Sequence, residues 1–116
     1  MQTLIHNGTV IDGRGGEPIE NGAVLLKGNR IEKVGRYSEV FASDAAEATK
    51  IDAGGGTIMP GLIDTHVHLM LEGINIPQML TRPASYNFFR AVDHMRRTID
   101  AGITTVRDAA GADLGL

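Results

Sequence analysis

The sequence predicts an α/β protein in two parts, a β-rich N-terminal region followed by a strand–helix–strand unit. Three observations predict it. Short apolar runs punctuated by Gly-containing turns fill the chain as far as Asp52. A run rich in β-branched residues, Ile58 to Leu69, follows the boundary Gly54-Gly55-Gly56. A helical stripe of Phe88, Val92, Met95 and Ile99 then leads straight into the β-branched Ile103-Thr104-Thr105-Val106. A strand joined through a helix to a second strand is a parallel crossover, and repetition of that unit builds a barrel or an open sheet.

Each element has its own local reason. Thr3 to Asp12 reads as two short strands about an Asn7-Gly8 turn, closed by Gly13-Arg14-Gly15-Gly16. Ala23–Lys27 and Arg30–Val34 read as a hairpin, because Gly28-Asn29 suits the positive φ of a two-residue loop. Ser38 to Ala48, rich in Ala, Glu and Asp, has weak helical character and leads to a short strand at Lys50-Ile51-Asp52. The triple glycine reads as a linker, since no helix N-terminus follows to make it a phosphate cradle, and it divides the chain into residues 1–56 and 57–116. Ile58 to Leu69 enters through Pro60-Gly61 as a buried strand, and Met70 to Arg82, interrupted at Pro77, is expected to be a loop on its C-terminal side. The helix behind it takes Ser85 as N-cap and Gly102 as its stop, with Arg90, Arg96 and Arg97 in solvent.

Composition narrows the function. In 116 residues, 42% hydrophobic and 22% charged content is that of a folded domain, and a formal charge of -3 gives no basic surface for nucleic acid or anionic membrane. With no cysteine there is neither disulfide nor thiolate, which leaves imidazole and carboxylate as metal donors. The N-terminus lacks a basic segment followed by an apolar one, and no apolar run approaches the roughly 20 residues of a membrane span, so a cytoplasmic location is expected. The sequence holds no His-Glu-x-x-His, no Gly-x-Ser-x-Gly, no phosphate-binding Gly-rich Lys-Ser/Thr loop and no Gly-x-Gly-x-x-Gly.

The chemical signal lies in Asp64-Thr65-His66-Val67-His68. Strand side chains alternate faces, so His66 and His68 share one, and two neutral imidazoles can hold a single divalent cation. Asp64 shares that parity and is a candidate to hydrogen-bond a ligating histidine from behind. His6 and His94 stand alone and receive no role, and Glu72 reads as a solvated loop residue.

The run Pro60-Gly61-Leu62-Ile63-Asp64-Thr65-His66-Val67-His68 resembles the first barrel strand of the amidohydrolase superfamily, and Ala101-Gly102-Ile103-Thr104-Thr105-Val106-Arg107-Asp108 is similar to the second strand of its imidazolonepropionase-like and Xaa-Pro-dipeptidase-like branch. The resemblance implies the start of a (β/α)8 barrel of TIM type, preceded by a small β-sandwich portion. It implies one or two divalent ions, zinc first, with His66 and His68 as ligands, and hydrolysis of amide, lactam or dipeptide C–N bonds by activated water. Arg107 and Asp108 would lie at the active-site rim, a loop cap or ion pair being the plainer reading of both. The later lysine, histidines and catalytic aspartate of the family have no counterpart here, so no catalytic residue is placed in this segment. Since such a barrel needs about 250 residues, a fragment of a larger enzyme is expected, inactive alone. The expected partners are a small-molecule or dipeptide substrate, the rest of the barrel and a second copy of the chain. The competing reading is a non-catalytic β-rich binding module with structural histidines.

Overall fold

A computed structural model describes residues 1–45, 47–73, 75–113 and 115. Ala46 in the expected helical segment, Ile74 in the expected loop, and Leu114 and Leu116 near the end of the expected barrel segment lie outside the described residues. The chain divides into two units, Met1–Pro60 and Gly61–Leu116.

The first unit is a mixed sheet. β1 (Gln2–Val10) is flanked by antiparallel β2 (Ile19–Lys27) on one side and by parallel β4 (Thr49–Asp52) and β5 (Thr57–Ile58) on the other, and β2 pairs with antiparallel β3 (Arg30–Arg36). The β2–β3 hairpin turns as expected at Gly28-Asn29, with Gly28 at φ 59°. The Asn7-Gly8 hairpin is a correction. β1 runs unbroken through it, and one extra residue between the pairs Ile5–Val24 and Gly8–Gly22 makes a bulge with Asn7 at φ 60°. Asparagine is the side chain that best tolerates this left-handed conformation, whether in a turn or a bulge. The triple glycine is more than a linker, since Gly55 N–H donates to the Asn7 carbonyl and Thr9 N–H to the Gly56 carbonyl. Asp52 ties the two together. Its carboxylate accepts from Gly54 N–H and from the Asn7 amide, and these bonds, Gly54 first, hold its pKa below the usual aspartate range.

Strand parity splits the apolar residues between both faces of this sheet. Leu4, Ala23 and Leu25 pack with Val40 of helix α1 (Tyr37–Asp44) and with Ala45 and Ala48. Val10, Val24 and Ile58 form the opposite cluster with Ile5, Ile19 and Leu26. That second face is an open groove, with Ile31 62% exposed at its edge. The expected sandwich is therefore represented here by a single sheet with a helix on one face.

The second unit is the crossover. β6 (Leu62–Val67) pairs in parallel with β7 (Ile103–Asp108), joined through helices α2 (Ile76–Thr81) and α3 (Ala84–Asp100). The run expected as one strand from Ile58 to Leu69 is divided, since Ile58 pairs with Val10 and β6 begins only after Pro60-Gly61. β6 is also largely exposed, because the only strand beside it among the described residues is β7, and a parallel strand is buried only when both faces are covered. The expected loop contains α2, capped by the Asn75 side chain on Gln78 N–H, with Pro77 in the first turn where its missing N–H costs nothing. Helix α3 starts one residue before Ser85, with Pro83 at the N-cap, and stops as expected, with Gly102 at φ 82° donating to the Ile99 carbonyl.

The face of α3 differs from the expected one. Ala91 is buried and His94 and Thr98 are half-buried; of the expected stripe Met95 is half-buried, whereas Phe88, Val92 and Ile99 are exposed. Both stripes have helical spacing and lie one residue, about 100°, apart. Arg90, expected in solvent, is half-buried, and its Nε is buried without a hydrogen-bond partner among the described residues.

Candidate active site

β6 carries the site to its C-terminal end. Alternation along the strand gives His66 and the first residue past it, His68, a common side, and the two Nε2 atoms converge to 3.3 Å with the rings nearly perpendicular. Adjacent donors on a tetrahedral ion with metal–nitrogen bonds of about 2.0–2.1 Å lie about 3.3–3.4 Å apart, so the pair has the spacing of two ligands of one cation. His68 Nδ1 lies 3.0 Å from the Ala110 carbonyl, which can only accept. That contact places the proton on Nδ1 and leaves the Nε2 lone pair for a ligand, as outer hydrogen bonds to ligating histidines do. Among the described residues no third His, Cys, Asp or Glu joins the pair to complete a metal-binding group.

The other expected residues fall around this pair. Asp64 Oδ1 accepts from the backbone N–H of His66 at 3.0 Å, so its described contact is with the chain that carries the ligand and not with a ring. Asp108 caps two loops at once, Oδ2 accepting from Leu69 N–H at 2.8 Å and Oδ1 from Ala110 N–H at 3.0 Å. Arg107 is exposed.

Two residues given no role in the sequence are engaged. His94 on α3 donates from Nδ1 to the Leu69 carbonyl at 2.7 Å, holding the residue next to His68. Glu72 receives Arg82 on Oε2 at 2.9 Å and Arg90 on Oε1 at 2.6 Å, and Arg90 and Arg97 both reach Asp93. Arg82, then Arg90, hold the Glu72 carboxyl below the ordinary glutamate range. The partners of Glu72, Arg82 and Arg90, stand 10 and 18 residues further along, too far for a local spacing signal to mark the pairing; the partner of His94, a backbone carbonyl, leaves no trace in sequence.

Residues 57–114, half of the chain, match the amidohydrolase family. The chain belongs to this family. It is 41% identical to a dihydroorotase of Syntrophotalea carbinolica over 84% of this chain and 22% of that enzyme. It is 48% identical to an imidazolonepropionase of Geobacillus kaustophilus over 47% of this chain and 14% of the relative. In solved structures it is similar to a prolidase complexed with N-methylphosphonate-L-proline, with a TM-score of 0.84 and 33% identity over 99% of this chain and 27% of that one. This amidohydrolase chain spans a quarter or less of the length of the curated relatives it matches. The matched residues contain β6, α3 and β7, and so both histidines of the converging pair.

Proposed function

We propose that this chain supplies the first strand–helix–strand unit of a (β/α)8 barrel, and two ligands of the metal site, in an amidohydrolase that cleaves C–N bonds of lactams, cyclic amides or dipeptides. The observation that carries the reading is the convergence of His66 and His68 Nε2 at the C-terminal end of β6, the end where barrel enzymes build their sites. Zinc suits the imidazole donors, and the open apolar face of the five-stranded sheet suits a second sheet stacked on it.

Within this reading each residue has a defined task. His68 presents Nε2 because its Nδ1 proton is engaged by Ala110, and His66 presents Nε2 from a backbone held by Asp64. A divalent cation held by the pair would supply water activation at neutral pH and polarisation of the scissile carbonyl. The likeness to a dihydroorotase, an imidazolonepropionase and a prolidase supports a small-molecule or dipeptide substrate.

The test is elemental analysis and turnover of the natural full-length protein against a panel of lactams, cyclic amides and dipeptides. Wild type should hold divalent metal and hydrolyse at least one class, and His66→Ala and His68→Ala should lose both while keeping the wild-type circular dichroism. Stoichiometric metal retained by the double variant would refute the ligand assignment.

A further inference from the structure

The loops after β6 and β7 meet beside His68, and one carboxylate joins them. The strand ladder ends where Ala109 N–H donates to the Val67 carbonyl. Asp108, the last residue of β7, accepts from Leu69 on one loop and from Ala110 on the other, and the Ala110 carbonyl in turn meets His68 Nδ1. The peptide carrying that carbonyl leads into Gly111 at φ 102°, a conformation open to glycine. Leu69, which Asp108 holds by its N–H, is the residue after His68 and is held at its carbonyl by His94.

We propose that Asp108 is a positioning residue for His68: by fixing Leu69 and Ala110 together it sets the Ala110 carbonyl against Nδ1 and holds the ring in its Nδ1–H tautomer, with the Nε2 lone pair turned toward His66. Histidine in water prefers its proton on Nε2, so the tautomer a metal needs at this position is the one the free side chain disfavours. The Ala110 carbonyl reverses that preference, and that carbonyl is aimed by the last residue of β7. Asp108 therefore acts through backbone groups and touches neither cation nor substrate. A carboxylate is suited to the task because its two oxygens accept from two loops at once, whereas asparagine offers a single acceptor.

This inference rests on the proposed ligand role of His68, and its readout is chosen to be independent of it. In metal-free, full-length protein labelled with nitrogen-15 in histidine, long-range proton–nitrogen correlation spectra distinguish Nδ1–H from Nε2–H rings. Wild-type His68 should be the Nδ1–H form. Asp108→Ala should move it toward Nε2–H and weaken zinc binding by roughly 10- to 100-fold, as loss of an outer partner does. Asp108→Asn, which frees one N–H and serves if the alanine variant does not fold, should give a mixture, and Asp108→Glu should recover part of the wild-type signal. A His68 ring that stays Nδ1–H in the folded Asp108→Asn and Asp108→Ala proteins would overturn the proposal. Metal retained by His68→Ala would instead remove the ligand role, and the tautomer result, read without metal, would still decide the coupling of Asp108 to His68.

Discussion

Glu72 illustrates what a residue does when two cations share it. Because Arg82 and Arg90 lower its pKa from the ordinary 4.5, its contribution to stability is complete above that value and is lost as the pH falls through the lowered one. Glu72→Gln should therefore lower the melting temperature most near neutral pH, and the offset should shrink as the pH drops below 4.5. Thermal melts across that range check it; an offset constant from neutral pH into the acid would contradict the pairing. Asp64 makes a second prediction at this scale. Asp64→Ala removes the acceptor for His66 N–H and should weaken metal binding by roughly 10-fold, whereas Asp64→Asn, which keeps an oxygen, should cost less. Metal titrations giving the two variants the same affinity as wild type would leave Asp64 a packing residue only.

At the scale of elements, Gly61 shows how closely β6 and β7 approach. A Cβ placed there would overlap the Thr104 side chain, next to the bond from Leu62 N–H to the Gly102 carbonyl. Gly61→Ala should destabilise the protein by about 1–3 kcal/mol, the usual cost of overpacking. Thr104→Gly in the same chain should recover part of that loss, and a double-mutant cycle in denaturant measures the coupling; additive losses would place the strain elsewhere. The same elements show what was legible in the sequence. The β2–β3 hairpin was, because Gly28 can take a positive φ that few residues accept. The bulge at Asn7 was not, since Asn-Gly serves a turn and a bulge equally well. The face of α3 was legible only in part: Met95 is half-buried as expected, but hydrophobic spacing favours the larger Phe88 and Val92 while close packing favours the small Ala91.

For the whole molecule, the histidine pair was legible because two residues apart on a strand fixes a common side regardless of what surrounds it. Its support was not, since Ala110 acts through a carbonyl and His94 through contact with another, and backbone atoms carry no sequence signature. Two imidazoles fill only half of a four-coordinate zinc sphere. Residues 1–116 expressed alone should therefore bind zinc weakly and hydrolyse nothing, and the exposed Leu62, Ile63, Phe88, Phe89 and Val92 should drive self-association. A monomer with tight stoichiometric zinc, by light scattering and elemental analysis, would contradict this. The central claim, that the converging Nε2 atoms are a metal site, is tested most directly by anomalous diffraction from crystals of the natural full-length protein at the absorption edge of its bound metal. The account predicts an anomalous peak within bonding distance of both His66 Nε2 and His68 Nε2; a peak bonded to neither would contradict it.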